Sequence, residues 1–174
     1  MIHTDHVTLL RKGIVQPGGV WADLGAGDGA FTLALADLIG ETGTIYAVDR
    51  DGGALRRLSQ AMQTRFPKTT LHTLVGNFEN TLQLPALDGI VMANSLHFIR
   101  NKEGTLARVR GYLKPEGRLL MVEYNTDHGN LWVPYPFTYS TWERMSRACG
   151  FSHTELLATY PSRFLREIYS AASW

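Results

Sequence analysis

The chain has a single cysteine, Cys149. That excludes an internal disulfide and a cysteine-built metal centre, and a reducing cytoplasm is the expected compartment. No metal site is expected. No apolar run is long enough to cross a bilayer, so no membrane partner is expected. Blocks of five or more like charges are also missing, and the formal net charge is only +1. Neither feature offers the basic surface that nucleic-acid binding needs. The opening Met1-Ile2-His3-Thr4-Asp5-His6 lacks a basic region followed by an apolar one, so no signal peptide is expected. There are no internal repeats and no low-complexity segments. What remains is a 174-residue chain, 44% hydrophobic and 19% charged. Those values suit one domain with one core.

The central stretch is Val20-Trp21-Ala22-Asp23-Leu24-Gly25-Ala26-Gly27-Asp28-Gly29, followed by the apolar pattern from Ala30 to Ile39. It reads as a strand, a tight turn and a helix start. Glycines in such a turn let a ligand approach the backbone. The helix start offers unpaired N–H groups and partial positive charge. Gly25-x-Gly27 with Ala30 also fits the looser dinucleotide fingerprint, so the glycines alone leave a nicotinamide enzyme open.

Along the rest of the chain, strand and helix patterns alternate. A short helix is expected over Thr8–Ile14, broken by Pro17-Gly18-Gly19. Strands are expected at 20–24, 44–49, 70–75, 87–93 and 119–123. Helices are expected at 30–39, 53–66, 102–113 and 141–149. The segments 153–159 and 164–171 form two more strands, joined too tightly for a crossover, which makes them an antiparallel hairpin. Crossovers elsewhere favour a parallel sheet with helices on both faces. Residues 1–18 are then a short N-terminal helical segment, and residues 19–172 the core of a single domain.

In such a sheet, ligands bind beyond the carboxyl ends of the strands. Asp23, Asp49, Asn77, Asn94 and Glu123 all fall at such ends. Asp49 lies 24 positions after Gly25. That is where an acid accepts hydrogen bonds from ribose hydroxyls in nucleotide-binding folds. His97 lies just beyond the fourth strand, and an imidazole there can act as a general base or be a buried structural residue.

The Asp-x-Gly-x-Gly-x-Gly run, with Asp49, the Gly76-Asn77-Phe78 turn, the Asn94-to-His97 stretch and the Leu113-Lys114-Pro115-Glu116-Gly117 turn, resembles the class I methyltransferases that use S-adenosylmethionine (SAM). The resemblance covers nearly the whole chain. It implies an α/β, Rossmann-like doubly wound fold: a mostly parallel seven-stranded sheet with a C-terminal antiparallel hairpin and helices on both faces. It implies SAM as cofactor and S-adenosyl-L-homocysteine as product. By that resemblance, Asp23, Gly25, Ala26, Gly27 and Asn94 surround the methionine part of the cofactor. Asp49 holds the ribose, while Arg50, Asn77 and Phe78 flank the adenine. Arg50 departs from the apolar residue common there. His97 is the candidate catalytic base, with Glu123 and His128 behind it.

The expected acceptor is a small molecule, walled by Leu96, His97, Tyr124, Trp132 and Tyr135; its identity and the oligomeric state stay open. The absence of Asn/Asp-Pro-Pro-Tyr after the fourth strand weakens an assignment to DNA bases or protein glutamine. Two rivals remain at this level: a non-catalytic SAM-binding or partner-binding module, and an NAD-dependent oxidoreductase.

Overall fold

A computed structural model describes all 174 residues. Its centre is one seven-stranded sheet in the order β3-β2-β1-β4-β5-β7-β6. The strands are β1 (Val20–Leu24), β2 (Thr44–Asp49), β3 (Thr70–Val75), β4 (Leu87–Ala93), β5 (Leu113–Tyr124), β6 (Thr154–Ser162) and β7 (Arg166–Ser173). β1 to β5 run parallel, and β7 runs antiparallel to both β5 and β6. The expected topology is therefore the one found. Strand order reverses at β1 and β4, which opens a crevice beyond their carboxyl ends.

The helices are α1 (His3–Arg11), α2 (Ala30–Ile39), α3 (Gly52–Arg65), α4 (Glu103–Gly111) and α5 (Tyr139–Ala148). Two apolar layers hold them to the sheet. On one face Leu9 and Leu10 of α1, Leu35 and Ile39 of α2, and Leu58 of α3 pack on Ile45, Val91 and Leu120. On the other face Leu106 and Val109 of α4 and Trp142 of α5 pack on Ile90, Met92 and Tyr169. The central strands are apolar throughout because both faces are covered.

Most helix ends fall within two residues of the sequence reading; the larger differences are in α1, β5 and the final hairpin. α1 begins at His3, not near Thr8, because the Asp5 carboxylate reaches back to accept from the Ile2 N–H at 2.7 Å. An acid in the first turn can satisfy an unpaired donor in this way. β5 is longer than expected. Lys114-Pro115-Glu116-Gly117 is absorbed as an irregularity, with pairing stepping from Leu87–Leu113 to Gly89–Arg118. The final hairpin runs further along both strands, to Ser162 and to Ser173. Pro161 is accommodated because β6 is the sheet edge, where a missing N–H costs little.

Candidate active site

The turn after β1 is tied to the end of β2. The N–H groups of Gly25 and Ala26 both donate to Val48 O, at 2.8 and 3.0 Å. The Gly27 N–H donates to Asp49 Oδ2 at 2.8 Å, and the Asp51 N–H donates to Asp49 Oδ1 at 2.9 Å. Gly25 has φ +87°, and a Cβ there would meet Ser95 Cβ at 2.5 Å. Gly27 has φ +52°, yet a Cβ there would meet nothing within 4 Å. The first glycine is thus required by the protein's own packing, whereas the second borders open space.

A cleft of about 180 Å³ opens at this point, and its lining includes Gly25, Asp49, Arg50, Asn77, Phe78 and Asn94. Six residues singled out from sequence therefore share one cavity. Asp23, Ala26, Gly27 and His97 do not line it. Asp23 lies beneath the turn, 1% exposed, and accepts from Thr32 Oγ1 at 2.6 Å. Burial raises its carboxyl to about 7; the Thr32 hydroxyl opposes that rise and Asp49 adds to it. A larger cavity of about 380 Å³ opens at the opposite end of the sheet, between Gly18 and Lys114. None of the chemistry-bearing strand ends reaches it.

Among the polar residues at the carboxyl ends of the strands, Asn94 alone has φ in the left-handed region, +50°. Its Oδ1 is sealed from solvent and has no hydrogen-bond partner. A buried amide oxygen left unpaired is costly, so this atom is ready for a donor supplied by a ligand. Asn77 is partly engaged: its Oδ1 accepts from the Glu79 N–H at 3.0 Å, and its Nδ2 donates to Glu79 Oε1 at 3.3 Å. One lone pair of the Asn77 carbonyl remains available.

The sequence reading did not single out four further lining residues, Glu79, Ser95, Phe98 and Ile99. Ser95 Oγ donates to Leu24 O at 2.8 Å, fastening the end of β4 to the end of β1. Their nearness in sequence to Asn77, Asn94 and His97 was the only signal available.

His97 lies in a short 3₁₀ turn, Leu96–Phe98, directly after β4. It is 3% exposed, and Glu123, near the end of β5, is fully buried. The Glu123 carboxylate accepts twice from His97: from the backbone N–H at 3.1 Å and from ring Nδ1 at 2.7 Å. Nδ1 is then the protonated nitrogen. Nε2 makes no protein hydrogen bond and is not among the sealed, unpaired atoms. An imidazole so arranged has a free lone pair and a carboxylate to stabilise its protonated form.

Aromatic rings surround the pair. Phe98 lies 4.3 Å and Tyr124 6.2 Å from the His97 ring, and Phe164 lies 5.8 Å beyond Tyr124. The Tyr135 N–H donates to His97 O at 3.0 Å. Of the expected acceptor walls, Leu96 is fully buried in the core and Trp132 stands 72% exposed on the loop after β5. His128 is exposed, and its backbone N–H donates to Thr126 Oγ1.

A family model described as a methyltransferase domain matches residues 22–119, more than half of the chain. The chain belongs to that methyltransferase-domain family, and its fold is the class I, Rossmann-like one. It is 27% identical over 114 residues to a 2-phytyl-1,4-naphtoquinone methyltransferase of Trichormus variabilis, covering 63% of this chain and 48% of that protein. It is 28% identical over 130 residues to the ubiquinone/menaquinone biosynthesis C-methyltransferase UbiE of Burkholderia mallei, covering 74% of this chain and 51% of that protein. The chain thus spans about half the length of these curated relatives. Among solved structures, a SAM-dependent methyltransferase from Aquifex aeolicus superposes with a TM-score of 0.73 at 18% identity, over 97% of this chain and 89% of that one.

Proposed function

We propose that this chain methylates a small, neutral acceptor at an acidic carbon, with SAM as methyl donor. The observation that carries this reading is the buried His97–Glu123 pair next to the glycine-turn cleft. A nitrogen or sulfur nucleophile with a free lone pair can accept a methyl group without first losing a proton. A carbon acid cannot, and it needs a base held in place. The rings of Phe98, Tyr124 and Phe164 suit an uncharged, apolar acceptor. The curated relative named as a C-methyltransferase points to the same element.

The residues present fit the cofactor. Asp49 uses only part of its acceptor capacity on Gly27 and Asp51 and keeps lone pairs for ribose hydroxyls. Asn77 and Phe78 flank the adenine, with the Arg50 stem beside them. Gly27 leaves room for a ligand against the backbone, and the unpaired Asn94 Oδ1 accepts from the amino group of the methionine part. Ala26 contributes the turn backbone, and the buried Asp23 positions it through Thr32.

Bound there, SAM supplies a methyl group activated by a sulfonium. The protein's share is alignment, exclusion of water and removal of one proton. Holding two reactants in line is worth roughly 7–11 kcal/mol in favourable cases. His97 Nε2 takes the proton of the acceptor C–H. With SAM held by Asp49, Asn77 and Asn94, the electron pair released would form the new C–CH₃ bond as the S–CH₃ bond broke, and S-adenosylhomocysteine would be the leaving group. Glu123 stabilises the imidazolium until the proton passes to solvent.

The first test is isothermal titration with S-adenosylhomocysteine and, separately, NAD. The second is turnover of methyl-labelled SAM with hydroquinone and β-dicarbonyl acceptors, comparing the protein with His97→Ala. The reading expects heat with S-adenosylhomocysteine only, and label on acceptor carbon that is lost in the variant. No binding by folded protein overturns the cofactor. Binding without turnover of any acceptor favours a non-catalytic SAM-binding module. Full turnover by His97→Ala removes the base.

A further inference from the structure

Large apolar side chains are exposed at the end of the sheet that carries His97, and the chemistry above uses only part of them. Leu131 is 88% and Trp132 72% exposed, in the loop after β5. Phe98, beyond β4, and Phe164, in the turn between β6 and β7, are half-exposed. All three segments leave the sheet at that one end. Phe98 adjoins the His97 ring, Phe164 adjoins Tyr124, and the Tyr135 N–H donates to His97 O.

The loop after β5 is held in shape. At its base, Asn125 Oδ1 accepts from the Tyr139 N–H at 3.0 Å, and the Asp127 carboxylate accepts from the N–H and hydroxyl of Thr138. At its tip, Asn130 Oδ1 accepts from the N–H groups of Trp132 and Val133, both at 2.9 Å. The Asn130 N–H donates to Val133 O at 2.9 Å, and the Val133 side chain is buried. Leu131 and Trp132 are thereby presented to solvent. Exposed apolar groups gathered beside a site mark a surface that is covered in use.

The charges at this end indicate what covers it. Arg100 follows Phe98 closely, and Arg163 and Arg166 flank Phe164. All three are exposed. The ion pairs of the protein's arginines and lysines lie elsewhere, at Arg57, Lys68 and Lys114. The acids of these segments are Asp127, engaged by Thr138, and Glu167, which accepts from Asn125 Nδ2 at 2.7 Å. Protruding leucine and aromatic side chains beside unpaired arginines match the interfacial layer of an anionic bilayer. A protein partner would need a separate pocket for each protrusion, whereas fluid lipid takes them without one. No helix is long and apolar enough to cross a membrane, and the contact in question is a surface one.

We infer that this end of the sheet docks on anionic lipid bilayers, with Leu131 and Trp132 inserted at the interface and Arg100, Arg163 and Arg166 against the headgroups. The acceptor site then opens onto the lipid, and an apolar molecule reaches His97 without crossing water. That last step rests on the acceptor proposed above; the docking does not.

The test is sedimentation of the full chain with vesicles of phosphatidylcholine alone, and of phosphatidylcholine mixed with phosphatidylglycerol, alongside tryptophan emission. Trp21 and Trp142 are buried and Trp174 is partly covered by Arg118, so Trp132 reports insertion. We expect binding to the anionic vesicles that weakens with salt, as headgroup attraction is screened. Emission should shift to the blue, and Trp132→Phe should abolish the shift while still binding. Leu131→Ser combined with Trp132→Ser should bind at least about tenfold more weakly, given the apolar area removed. Arg100→Gln and Arg163→Gln should each weaken binding about fivefold. These side chains are exposed, and circular dichroism verifies that the variants fold. Failure of the folded wild type to sediment with anionic vesicles overturns the inference, as does unchanged binding by the double serine variant. Equal binding to both vesicle types overturns the role of the arginines. Dimerisation that the double variant abolishes, without vesicle binding, assigns the surface to a second copy of the chain instead. None of these readouts involves methyl transfer, so this inference and the proposed activity fail separately.

Discussion

His97 Nδ1 lies 2.7 Å from Glu123 Oε2, although the two residues belong to different strand ends. The parallel register of β4 and β5 brings them together, with Ala93 beside Val122. Because Glu123 accepts from both the backbone and the ring of His97, it fixes the tautomer as well as the orientation. Glu123→Gln presents one oxygen and one NH₂ in place of two acceptors. The amide then meets one of the two donors with a donor of its own. We expect kcat for methyl transfer to fall about 100-fold or more, the contribution of a positioned base. S-adenosylhomocysteine affinity should change little, because neither residue lines the cofactor cleft. Parallel loss of binding and turnover would make the pair structural instead.

Asp49 should matter to binding and not to the chemical step. Its carboxylate already organises the turn through Gly27 and Asp51. Asp49→Ala removes those two contacts together with the proposed ribose contact. The expected loss of S-adenosylhomocysteine affinity is at least ~1.5 kcal/mol, the value of a hydrogen bond to a charged group. That is about tenfold in Kd. Asp49→Asn keeps one acceptor and should fall between. Unchanged calorimetric affinity in a folded Asp49→Ala protein would dissociate this acid from the ribose.

The cofactor side was more legible in sequence than the acceptor side, for a physical reason. Gly25, Asp49, Asn77 and Asn94 each follow a strand whose apolar pattern marks its end, so topology alone brings them to one crevice. The first four strands fall where hydrophobicity and flanking turn residues put them. Contacts that depend on register or side-chain direction were hidden. His97 and Glu123 were separate candidates until the β4–β5 pairing joined them. Leu96 was expected as a pocket wall, yet it points into the core because the 3₁₀ turn rotates it away from His97's neighbours.

Gly25 and Gly27 should respond differently to alanine. Both have positive φ, so each substitution carries backbone strain of about 1 kcal/mol or more. Gly25→Ala adds a collision with Ser95 Cβ at 2.5 Å and should shift unfolding clearly. Gly27→Ala meets no protein atom within 4 Å and should cost little beyond the strain. Its effect on S-adenosylhomocysteine binding therefore reports directly on ligand contact. We expect Gly27→Ala to lose affinity by more than its loss of stability accounts for. Calorimetry at a temperature well below both unfolding midpoints separates the two effects. Equal affinity for wild type and Gly27→Ala would mean that the ligand does not approach this turn.

Asp23 makes a prediction about pH. Burial raises its carboxyl from 3.8 to about 7 in the folded protein, with Asp49 adding to the rise. Between those values the folded chain binds more protons at this site than the unfolded chain. Its contribution to stability must therefore decline as pH rises through that window and level off above about 7. Over the full interval the decline amounts to roughly 4 kcal/mol at about 1.4 kcal/mol per pH unit. Asp23→Asn cannot ionise and still offers an oxygen to the Thr32 hydroxyl, so it should remove most of that decline. Urea unfolding of both proteins at pH 5 and pH 8 isolates the site, because every other titrating group is common to the pair. The variant should gain on wild type from the lower pH to the higher. Parallel changes in the two proteins would mean that Asp23 is ionised throughout, with Thr32 and the turn above it stabilising the charge more than burial opposes it.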